Sequence, residues 1–150
     1  MNHGILVHAT TVALAGRGIL LRGPSGSGKS DLALRLIDAG ARLVADDQSR
    51  VWRDGDALLA ASPPTIAGMI EVRGVGIVRL DPLPAARLIL VVDLVAADRI
   101  ERLPEPRTET ILGVAVARLD LAPFEPSAPA KLRLALAALD GNDRVAQPAR

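Results

Sequence analysis

Cysteine is absent from the 150 residues of the chain, which excludes a disulfide framework and thiolate zinc sites and fits a reducing cytosol. Aromatic side chains are nearly as scarce, at 1% of the sequence, namely Trp52 and Phe124. The core must therefore be filled by Leu, Ile, Val and Ala, and no aromatic platform exists for stacking the bases of single-stranded nucleic acid. Charge of one sign is not in excess either. Lys and Arg number 18 against 17 Asp and Glu, a net charge of +1, so no nucleic-acid partner is expected from electrostatics. Long apolar runs are missing too. The opening MNHGILVHATTVALAGRGILL lacks a basic leading region, and Gly and Arg interrupt it short of spanning length, so neither a signal peptide nor a membrane contact is expected and the expected location is cytoplasmic. No NKxD guanine-reading motif and no LSGGQ-like stretch occurs, which argues against a GTPase and against half of an ABC-type ATPase.

What is present is a chain with 49% hydrophobic side chains, enough for one compact core and too short for two ordinary domains. A single domain over 1–141 is expected, with a loose tail over 142–150. Short apolar runs at Ile5 to Val7, Val12 to Leu14 and Gly18 to Leu21 read as strands. The last runs into a glycine-rich turn and then a helix from about Lys29 to Ala39, with Leu32, Ala33, Leu36 and Ile37 as its apolar stripe and Gly40 as its cap. Leu43 to Ala45 is a buried strand ending in Asp46 and Asp47, and Arg50 to Arg53 with Ala57 to Ala61 form a hairpin around Asp54-Gly55-Asp56. Met69 to Val72 and Gly76 to Leu80 are strand-like, Leu88 to Leu94 is the most apolar segment and a central strand, and Val114 to Leu121 is the last strand. A second helix spans Ala128 to Leu139, opened by Ser127 with Pro129 in its first turn and closed by Gly141. Strands outnumber helices, so the fold class is α/β with a P-loop in a mixed β-sheet with few helices.

Residues Gly23, Pro24, Ser25, Gly26, Ser27, Gly28, Lys29 and Ser30 spell GPSGSGKS, a match to G-x-x-x-x-G-K-[ST] between a strand and a helix. Such a loop turns backbone amides toward phosphates, with the helix N-terminus adding positive charge. Lys29 is placed to neutralise the β- and γ-phosphates and Ser30 to hold magnesium. Two acidic groups compete to complete the site. Asp93 ends LILVVD, the apolar-strand-then-Asp pattern of an ordinary magnesium-binding acid. Asp46 and Asp47 follow Lys29 by 17 and 18 positions; neighbouring strand residues point to opposite faces, so one carboxylate faces the nucleotide and the other away, unless the strand has already ended.

These motifs together resemble the HPr kinase/phosphorylase catalytic domain. His8 lies 21 positions before Lys29, the family's spacing of active-site histidine to P-loop lysine. LVADD (Leu43 to Asp47) matches its acidic signature. IEVRGVGIVRL (Ile70 to Leu80) resembles its catalytic signature, with the metal-associated glutamate at Glu71, and ADRIERLPEP (Ala97 to Pro106) resembles the stretch with its active-site arginine, Arg102 being the better match. The similarity covers His8 to roughly Leu121.

The resemblance implies the HPr kinase/PEP carboxykinase-like nucleotide-binding fold and an ATP- and Mg2+-dependent serine protein kinase acting on the phosphocarrier HPr or an HPr-like protein, with a regulatory output in carbon or nitrogen metabolism. It assigns Asp47 as the base, Ser30, Glu71 and Asp46 to the metal, and Lys29, His8 and Arg102 to charge on the transferred phosphoryl group. It also implies a homo-oligomer, a hexamer in form. Two departures stand out. Only a few residues precede His8, where the family has an N-terminal domain, so the chain resembles the catalytic domain alone. The segment LAPFEPSAPAKLRLAL (Leu121 to Leu136) carries no R-P-G-R, the loop linked to dephosphorylation of phosphoserine-HPr, so kinase activity is expected to exceed phosphorylase activity. Two other readings stay open: a nucleotide- or phosphate-sensing module that transfers nothing, and a small-molecule P-loop kinase using Asp93 for magnesium.

Overall fold

The computed structural model describes residues 4–140. The expected cap Gly141 and the expected tail 142–150 therefore lie outside the described residues. Within them a nine-stranded mixed sheet carries two helices on one face, and a separate two-stranded ribbon stands beside it. The sheet is built from β1 (Ile5–Val7), β2 (Ala9–Leu14), β3 (Arg17–Arg22), β4 (Arg42–Ala45), β5 (Ser49–Asp54), β6 (Ala57–Ala61), β9 (Ala86–Leu94), β10 (Arg107–Ile111) and β11 (Val114–Leu121). The ribbon is β7 (Met69–Val72) paired with β8 (Gly76–Arg79), and the helices are α1 (Lys29–Asp38) and α2 (Ala128–Leu139). None of these helices is long and apolar enough to cross a membrane.

Strand order runs β1-β5-β6-β9-β3-β2-β4, and β11 joins on β9 with β10 outside it. β9 is central, as its unbroken apolar character dictates. One of its edges pairs in parallel with β3; on the other, Ala86 and Arg87 pair antiparallel with β6 while Leu90–Leu94 pair in parallel with β11. Three parallel strands, β3, β9 and β11, thus end at one edge of the sheet. Ligands of α/β proteins bind at such an edge, outside the carboxyl ends of parallel strands.

Alternation on β3 divides the core. Ile19 and Leu21 face α1 and α2 together with Leu32, Leu36, Leu132 and Leu136, while Leu20 faces the opposite side with Val51, Leu58 and Val91. α1 ends as its sequence requires: Gly40 has φ +109°, and Ala41 N–H donates to Leu36 O at 2.9 Å, closing the last turn. β10 has no apolar run to announce it. Its residues RTETI are held by pairing with β11 across a Leu112-Gly113 turn and by ion pairs, Arg107 with Asp120 at 3.0 Å and Glu109 with Arg22 at 2.7 Å.

Candidate active site

The glycine-rich segment 23–30 leaves the end of β3 and enters α1 at Lys29. Gly28, at the helix entry, has φ +100°, a conformation that disfavours any side chain, and a Cβ there would sit 2.9 Å from Cζ of the exposed Phe124 ring. Lys29 is only 6% exposed, and its ammonium donates to Gly23 O at 2.7 Å and Pro24 O at 3.1 Å. The loop carbonyls thereby hold the cation at the mouth of its own loop. Ser27 Oγ is a buried side-chain oxygen without a hydrogen-bond partner.

Both acidic residues after β4 turn toward this loop. β4 has already ended at Ala45, so the alternation of a strand no longer applies. Asp47 adopts φ +65°, a left-handed conformation that Asp tolerates better than most residues. Asp46 is buried, and its carboxylate accepts three hydrogen bonds: Ser30 Oγ at 2.6 Å and Thr10 Oγ1 at 3.1 Å on Oδ1, and Glu71 N–H at 3.1 Å on Oδ2. The bond from Glu71 ties the β7–β8 ribbon to the P-loop through one carboxylate. Asp47 is exposed, and its Oδ1 lies 2.7 Å from His8 Nε2. An ionised carboxylate only accepts, so His8 donates from Nε2 and Oδ2 of Asp47 has no partner among the described residues.

Thr10 joins the two acids. Its hydroxyl donates to Asp46 and accepts the backbone N–H of Asp47 at 3.0 Å, with no solvent exposure. Sequence reasoning passed over it. The available signal is a Thr-Thr pair in an otherwise apolar strand, since a buried hydroxyl requires a partner; its neighbour Thr11 likewise bonds Ser49 Oγ at 2.7 Å.

A cavity of about 690 Å³ opens over these groups, lined by Lys29, Ser30, Asp46, Asp47, Glu71 and Arg73 among others. Of the expected site residues, Ser25, Gly26, Gly28, Lys29, Ser30, Asp46, Asp47 and Glu71 line it, Pro24 and Ser27 line the neighbouring cavity, Gly23 lines neither, and His8 reaches it through Asp47. Arg102 does not line the cavity; it is exposed in the segment between the short helical turn Ala97–Arg99 and β10. The donor set fits magnesium: one hydroxyl and two carboxylates are hard oxygen ligands of the kind that magnesium takes together with phosphate oxygens. Among the described residues no group of three or more His, Cys, Asp or Glu stands ready to hold a metal unaided.

Asp93 is placed otherwise. It pairs across β3 and β9 with Arg22, which bonds both of its oxygens at 2.8 and 3.0 Å, and Arg118 adds a third bond at 2.7 Å. Arg22 also grips Glu109 through two bonds of 2.7 Å. Burial alone pushes the Asp93 carboxyl up, but the hydrogen bonds and charges of Arg22 and then Arg118 outweigh it and hold the group below its ordinary value. The Arg22 hydrogen bonds do the same for Glu109, and these contacts raise Arg22 in turn. Asp93 is therefore the centre of an arginine-saturated cluster and lines neither cavity next to the P-loop.

Residues 1–126 match the family model described as HPr Serine kinase C-terminal domain. Among curated proteins, an HPr kinase/phosphorylase of Bordetella petrii is 38% identical over 127 residues, covering 77% of this chain and 41% of the relative. One from Geobacillus thermodenitrificans is 41% identical over 96 residues, covering 59% of this chain and 31% of the relative. The chain thus spans about two fifths or less of the length of these relatives. Among solved structures, the Hpr(Ser) kinase/phosphatase from Coxiella burnetii superimposes with a TM-score of 0.76 at 28% identity, over 91% of this chain and 95% of that one. The family match over most of the chain, the curated relatives and the solved structure lead to one conclusion: the chain belongs to the HPr serine kinase C-terminal domain family.

Proposed function

We propose that the chain is a serine protein kinase that transfers the γ-phosphoryl group of ATP, with Mg2+, to a serine of HPr or an HPr-like phosphocarrier protein. The observation that carries this reading is the convergence of Ser30, Asp46 and the His8–Asp47 pair on the P-loop. Magnesium, when bound, would neutralise phosphate charge, and Ser30, Asp46 and Glu71 are the residues to hold it. Ser30 spends its proton on Asp46, which leaves its lone pairs directed elsewhere.

In the transfer, Asp47 Oδ2 takes the proton of the substrate serine hydroxyl. The serine oxygen forms a bond to the γ-phosphorus as the bond from that phosphorus to the β–γ bridging oxygen breaks, and ADP leaves with the electron pair. His8 orients the base by its hydrogen bond to Oδ1. Lys29, on exchanging its loop carbonyls for phosphate oxygens, stabilises the charge on the group in flight, where such reactions gain most of their rate. Arg102 serves the same charge only if segment 100–106 moves onto the cavity, and an Arg102→Ala variant with unchanged transfer would remove it from the site.

The family's assembly into a homo-oligomer is carried over as part of this reading, and a phosphorylase activity weaker than the kinase activity follows from the PFEP sequence at 123–126. The test is incubation with radiolabelled γ-phosphate ATP, magnesium and HPr, beside HPr whose target serine is changed to Ala. Label on the serine protein alone is the expected result. Bound ATP without label would favour a sensor. Breakdown of phosphoserine-HPr as fast as its formation would overturn the kinase bias.

A further inference from the structure

Phe124 is 68% exposed beside the P-loop. A lone exposed apolar side chain is ordinary, but three observations set this one apart. Its ring packs on Gly28, close enough that a Cβ there would meet Cζ at 2.9 Å and Cε1 at 3.0 Å. The ring is shared by two cavities: the acidic one over Lys29 and Asp46, and a second of about 520 Å³ lined by Leu94, Val95, Ala96, Ala122 and Pro123. The loop that presents it is also fixed on either side of the ring, because the Arg35 guanidinium on α1 donates to Pro123 O and to Glu125 O.

The second cavity lies where the chain leaves β9 and β11, beside the loop that leaves β3, at the carboxyl edge of the three parallel strands. That is the position a nucleotide takes in such sheets. Its size is that of a small-molecule site, and its walls are almost wholly apolar, Ser27 being the uncharged polar side chain among them. The charged side chain at its rim, Glu125, is paired with Lys131 at 3.0 Å.

We infer that Phe124 and this apolar cleft receive the purine base of the phosphoryl donor, by stacking on the ring and not by reading the base edge. The inference rests on the P-loop reading of the phosphates. Two aromatics are too few to stack a strand of bases, yet one suffices for a single nucleobase. Every base has a π-face, so recognition of this kind tolerates adenine and guanine alike, whereas strong discrimination requires buried polar partners for the edge.

The test is calorimetric binding to the intact chain, with magnesium, of ATP, GTP and inorganic tripolyphosphate. ATP should bind more tightly than tripolyphosphate, and GTP within a few-fold of ATP. Phe124→Ala should weaken ATP and GTP on the order of tenfold and leave tripolyphosphate unchanged, while Phe124→Trp keeps nucleotide affinity. Equal weakening of all three by Phe124→Ala would show the ring acting only through Gly28 and would overturn the base site. So would unchanged ATP affinity in that variant, and GTP bound a hundredfold more weakly would overturn recognition by the face alone. Tripolyphosphate failing to bind the unaltered chain would instead reject the P-loop reading on which the inference stands.

Discussion

Asp46–Asp47 follow the short apolar strand β4 and Asp93 is the last residue but one of the long apolar strand β9, and each satisfies a sequence rule for the acid that completes a phosphate site. Their surroundings differ in the kind of donor. Asp46 accepts two hydroxyls and one backbone amide, all neutral, and Asp47 is held by one imidazole nitrogen. Asp93 accepts three bonds from two guanidinium groups. A carboxylate surrounded by neutral donors keeps its charge for a cation or a proton. One already neutralised by arginines is committed to holding strands together. The difference teaches that the pattern of apolar strand and Asp is shared by chemistry and architecture, and that the partner decides.

Exchanging the acids is the sharpest way to break this contrast. Asp47→Asn should lower phosphoryl transfer by about 10²- to 10⁴-fold, the usual contribution of a positioned base, with ATP binding and the far-UV circular dichroism unchanged, since the side chain is exposed. Asp93→Asn should act on stability instead. It leaves Arg22 and Arg118 short of a partner in a half-buried place and should cost about 2 kcal/mol, read as a lower urea midpoint with unchanged slope. Transfer per folded molecule should stay near that of the unaltered chain.

Smaller effects refine the picture. Thr10→Val keeps volume but removes the hydroxyl that ties Asp46 to Asp47. The expected cost is about 1 kcal/mol of stability, with turnover falling several-fold while KM for ATP holds. A matching loss of ATP affinity would relocate Thr10 from the acids to the loop. The smallest effect concerns pH. Asp93 and Glu109 titrate below their ordinary values of 3.8 and 4.5, so their stabilisation is fully present above those values and is lost as pH falls through the depressed folded ones. The stability gap between the unaltered chain and Asp93→Asn should therefore be constant from neutral pH down to about 5 and narrow below about 4. A gap that widened on acidification would contradict the arginine cluster.

Much of this architecture was legible from periodicity and punctuation. The P-loop, α1 with its Gly40 cap, the 54–56 hairpin and the central β9 follow from local rules that the core then reinforces. β10 was not legible, because RTETI offers one apolar residue in five and is stabilised by pairing partners distant in sequence. In the site, motif and spacing pointed to the P-loop and both acids, while His8 and Glu71 were read from the family resemblance. The left-handed turn at Asp47 had no local signature, so the pairing of both carboxylates on one side emerged only from the end of β4. Thr10 and Phe124 act through tertiary neighbours, and Arg102 stands apart from the cavity in a proline-bounded exposed segment.

The central claim is that the acids after β4, and not Asp93 within β9, work with the P-loop. Its most direct measurement is the initial rate of phosphoryl transfer from ATP to HPr by Asp47→Asn and Asp93→Asn side by side, each corrected for folded fraction. Asp47→Asn should be slowed by about 10²- to 10⁴-fold, with Asp93→Asn close to the unaltered chain. A folded but silent Asp93→Asn, beside an active Asp47→Asn, would contradict the claim.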